Sequence, residues 1–218
     1  MGQRQKGPFA LDCAKLSKNQ QENKQRNSMN ATVVKRVALN LLLFKIAWTT
    51  TAMCAARGLP WIGVLTIAAV TAFHLVRAKD ASKEVTLILI AAGIGLVWDS
   101  IPVAMGWISY PSGMVFSNVA PYWILALWIL FATTLNVTFD FLKGRPWLAA
   151  VLGVIFGPVS YWTGVALGAL EFVEPRAAVI ALGVAWGILM PLLMLLAERF
   201  DGVELSAAET SVVAEGST

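Results

Sequence analysis

Six stretches of apolar residues, each close to the length that crosses a bilayer, constrain this chain more than anything else in it. At 1.5 Å per residue, about 20 helical residues match the ~30 Å hydrocarbon core. The stretches are Val37–Ala56, Leu59–Val76, Val85–Met105, Pro121–Leu142, Trp147–Leu170 and Ala177–Ala197. Hydrocarbon offers backbone N–H and C=O groups no partner, so a chain of this kind must cross as helices. A soluble domain would interrupt such runs with polar residues at period 3.6 or 2. The sequence therefore predicts an all-α polytopic bundle of six transmembrane helices. The composition agrees: 57% of the 218 residues are hydrophobic and 14% are charged, far from the balance of soluble domains.

The charges are segregated into the tails and the short links between the runs. With the N-terminus inside, fourteen Lys or Arg residues fall on cytoplasmic segments. Arg57 and Arg176 fall outside, and Lys45 lies within a span. That asymmetry places both termini in the cytoplasm. It also accounts for the net charge of +4 without a nucleic-acid partner, leaving membrane lipids and other membrane proteins as the expected partners. Trp61, Trp107, Trp123 and Trp147 stand at predicted interfaces, as an aromatic belt would place them.

The organisation that follows is a basic, polar tail over residues 1–36, a transmembrane domain over 37–197 and an acidic tail over 198–218. Both tails are poor in core-forming residues and are expected to be disordered. A cleaved signal peptide fits badly, because the apolar stretch after the basic segment has full span length. Met29 is a second candidate start, since Lys35 and Arg36 would still flank the first span. Cys13 and Cys54 fall on opposite sides of the membrane, so no disulfide is expected.

Polar groups at depth are the strongest pointers to function in such a chain. Asp99 lies about 21 Å from the cytoplasmic edge of the third span. Ala92, Gly95, Asp99 and Pro102 recur at three- and four-residue spacing, giving one narrow face fit for close helix packing. The fifth span carries Gly153, Gly157, Ser160, Gly164 and Gly168 in a similar row, which suggests a central packing helix. Ser160 and Tyr161 come level with Asp99, and so does Trp128 on the fourth span. These residues predict a polar and aromatic layer in the outer half of the bilayer. Lys45, about 12 Å deep, is expected to snorkel back to the cytoplasmic interface rather than reach Asp99. His74 and Asp140 read as wet helix-end residues. No metal-binding spacing, phosphate loop, nucleophile elbow or cofactor motif occurs in the sequence.

Several stretches resemble a bacterial six-helix inner-membrane family of unknown function. They are Asn40 to Trp48, Asp99, Pro121-x-Trp123, Leu127-Trp128-x-x-Phe131-Ala132-Thr133-Thr134, and Gly157-Pro158-x-Ser160-Tyr161-x-x-Gly164. The resemblance covers about residues 37–197. It departs at Lys45, where that family would carry a neutral amide. It implies a compact six-helix inner-membrane protein with fatty-acid-modifying enzymes in its gene surroundings, and no activity for Asp99, Ser160 or Tyr161.

Three functions remain open. The first is a non-enzymatic support or scaffold protein for envelope-lipid metabolism. The second is a small solute or proton-coupled transporter using Asp99, with Pro102 and Pro158 as candidate helix breaks. The third is a lipid-active enzyme built on Asp99 with Ser160 or Tyr161. A single deep acid without a dense polar cluster favours the first.

Overall fold

The structure, a computed structural model, describes residues 8–203 and Leu205, with side chains from Ala31 onward. Six helices follow one another: α1 Pro8–Ala56, α2 Pro60–Arg77, α3 Ala81–Ala104, α4 Tyr122–Leu135, α5 Pro146–Ala166 and α6 Pro175–Arg199. All but α4 are long and apolar enough to cross a membrane, the apolar part of α1 running from Ala31 to Ala56. The chain is a multi-pass membrane protein with an all-α bundle. Proline opens α2, α5 and α6, where its fixed φ suits the first turn and its missing N–H costs nothing. Asp80 caps α3, its carboxylate accepting from the Ser82 and Lys83 N–H groups at 3.1 and 3.3 Å.

Two tail expectations change. The helix α1 begins at Pro8, so residues 8–36, expected to be disordered, are helical. Between Pro8 and Ala56 there is neither Gly nor Pro, and the Lys, Gln, Asn and Glu residues there do not break a helix already propagating from the apolar span. At the other end, Val203 and Leu205 are buried with Val137, so the acidic tail is packed at its start. Residues 1–7, 204 and 206–218 lie outside the described residues.

The fourth span also differs. Expected to run from Pro121 to Leu142, it stops at Leu135 and gives way to a turn and a single 3-10 turn at Asp140–Leu142. Thr133 and Thr134 donate to the carbonyls of Leu130 and Phe131 at 2.7 and 2.5 Å, a local bonding that competes with helix continuation. The carbonyls freed at this end are not orphaned. Asn40 of α1 donates to the Thr133 carbonyl at 3.1 Å, and the Val137 and Phe139 N–H groups donate to Thr134. A helix end inside protein is tolerable only when its carbonyls are satisfied in this way.

That short helix, not α5, is the centre of the bundle. Trp123, Ile124, Ala126, Trp128, Leu130 and Ala132 to Leu135 are all buried. It packs against α3, α2 and α1, and α6 touches it as well. The helix α5 lies at the side, paired chiefly with α6, and exposes Val151, Ile155, Phe156, Val159 and Trp162 outward. Its glycine row has the expected purpose against a single neighbour: a Cβ at Gly153 or Gly157 would collide with the Trp186 backbone or ring. Pro102 and Pro158 sit within continuous helices.

The helix ends sort into two sets. At one end the α2–α3 turn, the α4–α5 turn and the segment after α6 meet, with Lys79 and Asp80 N–H groups donating to the Gly202 carbonyl at 2.8 and 3.0 Å. At the opposite end the loop after α3 pairs with the one before α6 through a two-residue antiparallel ladder, Ile108 opposite Phe172 and Ser109 opposite Glu171. The same loop folds onto the bundle: Ser112 donates to the Ala55 carbonyl at 2.7 Å, and Trp123 Nε1 donates to Ser112 at 3.1 Å. Trp123 is therefore core, while Trp61 and Trp147 are exposed as a belt requires.

Candidate functional site

The packed face of α3 reads Glu84, Leu87, Ile88, Ala91, Ala92, Gly95, Asp99 and Pro102, all buried. Gly95 sets the geometry around Asp99. A Cβ at this position would fall within the indole of Trp128, so only glycine lets that ring lie against α3. One turn further along, Asp99 is 0% exposed. Its Oδ2 accepts from Trp128 Nε1 of α4 at 2.5 Å, and its Oδ1 accepts from the Tyr161 hydroxyl of α5. Three helices thus meet on one carboxylate, each oxygen bonded to a donor from a different helix. Removing a carboxylate from water is tolerable only with such charge-assisted bonds.

Aromatic rings wall the site. Trp186 of α6 stacks on Trp128 with centroids 5.0 Å apart and planes 10° from parallel, and Phe131 meets both rings edge-on. Trp186 is the member that sequence reasoning missed. It closes the side of the site facing α6, in the slot left by Gly153 and Gly157.

Two expected members stand elsewhere. Ser160 donates to the Gly157 carbonyl of its own helix at 2.7 Å. Its neighbour Tyr161 takes the inward position, since consecutive helical residues point about 100° apart. Lys45 is on the exposed side of α1 and takes no part in the buried site around Asp99. Asp99, Tyr161 and Trp128 are therefore the members of the expected set that the fold brings together.

A family model described as "Protein of unknown function (DUF2878)" matches residues 37–192. The chain belongs to this family. No curated protein and no solved structure matches it.

The region shared with DUF2878 holds a second buried carboxylate. Glu84, also 0% exposed, accepts on Oε1 from Asn136 Nδ2 at 2.8 Å and from the Gly202 N–H at 2.9 Å. Its Oε2 lies 2.7 Å from His74 Nε2. Asn136 donates as well to the Phe200 carbonyl at 3.2 Å. This network ties α2, α3, the end of α4 and the segment after α6 together. The sequence carried a signal for it. With Asp80 as cap, Glu84 falls one turn into α3, and Leu87, Ile88 and Ala91 follow at three, four and seven residues. Reading Glu84 as part of a charged loop hid that stripe, and His74, expected at a wet helix end, is buried for the same reason.

Proposed function

We propose that this DUF2878 member is a non-catalytic support protein of the bacterial inner membrane, serving envelope-lipid metabolism as a scaffold. In this reading Asp99 is a structural staple. The observation that carries it is the burial and bonding of the carboxylate: no exposure, and one donor from α4 and one from α5 on its two oxygens. A proton-coupling group must exchange with water during its cycle, and a catalytic acid must touch its substrate. A carboxylate held by Tyr161 and Trp128 instead joins three helices. The envelope-lipid assignment takes its support from the resemblance noted above. The basic end of the bundle, carrying Arg36, Arg77, Lys79, Lys83, Lys143 and Arg145, faces the cytoplasm on this proposal.

The test is complementation of a deletion strain by wild type and by Asp99→Asn at matched membrane levels, read as lipid composition and solute sensitivity. Full complementation by Asp99→Asn is expected. Loss of function with a normally folded and inserted variant would overturn the scaffold reading in favour of transport or chemistry.

A further inference from the structure

A cleft opens where the basic start of the apolar part of α1 and the basic end of α2 meet the turn after α4. Arg36 and Asn40 of α1, and His74 and Arg77 of α2, line it together with Leu43 and Val70. Its composition is divided. Arg36 stands near the start of the apolar part of α1 and Arg77 at the last residue of α2, while Leu43 and Val70, each seven residues away, lie about two turns deeper in the apolar spans. Such a division matches a ligand with an anionic head and an apolar body lying across the bilayer boundary.

The cations are available. Neither Arg36 nor Arg77 makes an ion pair with a carboxylate among the described residues. The described acids of this end are engaged by other donors: Glu84 by His74, Asn136 and the Gly202 N–H, Asp80 by the first turn of α3, Asp140 and Asp201 by Lys143, and Glu198 by the Gly144 N–H. The polar walls are organised before any ligand arrives. Asn40 donates to the Thr133 carbonyl and accepts from Thr138 at 2.6 Å, which fixes its side chain. Glu84 orients the imidazole of His74. The Arg77 guanidinium lies 5.2 Å from the Phe73 ring centroid, a cation–π contact that restrains it beside the opening.

We infer that this cleft binds the phosphodiester headgroup of one anionic phospholipid of the adjoining leaflet. Arg36 and Arg77 hold the phosphate, and Leu43 and Val70 lie along the first acyl carbons. Guanidinium is suited to this task because its planar fork gives paired donors to two phosphate oxygens. A free phosphate would satisfy only the head of the site. The site is separate from Asp99 and stands whether or not the scaffold reading does.

Native mass spectrometry of the full chain, released from detergent with defined lipid, tests it. Phosphatidylglycerol and phosphatidylethanolamine of identical acyl chains are compared with inorganic phosphate. The expected result is one retained phosphatidylglycerol, favoured over phosphatidylethanolamine by about tenfold or more, with no retained phosphate. Arg36→Gln with Arg77→Gln should remove that preference, while Arg36→Lys with Arg77→Lys should keep part of it. Arg145→Gln with Arg199→Gln makes the same charge change at exposed positions of the same end and should leave it intact. Equal retention of the two lipids would show that the cleft does not read headgroup charge, and equal loss in the control pair would replace the site with diffuse surface charge; either result would overturn the proposal. Retention of inorganic phosphate at similar strength would make the ligand a soluble anion, and that too would overturn the proposal.

Discussion

The indole of Trp128 occupies the space that a Cβ on Gly95 would need, and from there its Nε1 reaches Asp99. The missing side chain on α3 and the large one on α4 form a single fitted pair one turn from the carboxylate.

Gly95→Ala should therefore displace the ring and lengthen its hydrogen bond. Overpacking of this kind costs about 1–3 kcal/mol, read as a lower melting temperature in detergent. Trp128→Ala in the same chain should absorb most of the Gly95→Ala penalty, because the methyl then has room. Additive losses in the double variant would show that the two residues do not share one space.

Asp99 offers a graded test of the staple. Asp99→Asn keeps an acceptor for one of the two donors. Asp99→Val leaves both the Tyr161 hydroxyl and the Trp128 N–H buried without a partner, at about 1–3 kcal/mol for each orphaned group. Melting temperatures should fall in the order wild type, Asn, Val. A Val variant as stable as wild type would mean that these bonds do not hold the helices.

Lys45 should be dispensable for stability. It lies on the exposed side of α1, and exposed substitutions away from packed features usually change stability by less than about 0.5 kcal/mol. Lys45→Gln, measured by thermal unfolding at matched detergent, should melt with wild type. A large loss would place Lys45 in a contact that the fold does not contain.

Glu84 clamps the segment after α6 by accepting from the Gly202 N–H. Glu84→Leu should release that amide, and a charge-assisted bond of about 1.5–3 kcal/mol corresponds to tenfold or faster exchange by local opening. Glu84→Gln keeps an acceptor and should stay nearer wild type. Hydrogen exchange over 200–205 reads the difference, and unchanged protection in Glu84→Leu would remove Glu84 from the clamp.

Lys143 lies in the link between α4 and α5, 2.6 Å from Asp140 and 2.7 Å from Asp201. Burial alone would lower its pKa, but the hydrogen bonds and charges of the two carboxylates outweigh it and hold the ammonium above its ordinary 10.5. A raised folded value means the stabilisation is complete below pH 10.5 and disappears as pH climbs through the folded value. Lys143→Met should therefore melt below wild type at neutral pH and converge with it in strong alkali. A gap that persists there would point to lost packing instead of lost charge.

How far the sequence reached is clearest along α3. Apolar length determined that the helices exist, and three- and four-residue spacing determined that Ala92, Gly95, Asp99 and Pro102 share its packed face. Rise per residue brought Asp99, Trp128 and Tyr161 to one depth. These properties belong to a single helix and the bilayer, so one strand of text carries them. Which helix stands against a given face does not. That Trp128 and Tyr161 turn inward together, that Trp186 backs them, that α4 ends early on bonds from Asn40, and that Glu84 is buried beneath Gly202 are matters of tertiary structure. They depend on the rotation and tilt of every helix at once, which are set by how side chains on different segments fill shared space and satisfy one another's polar atoms.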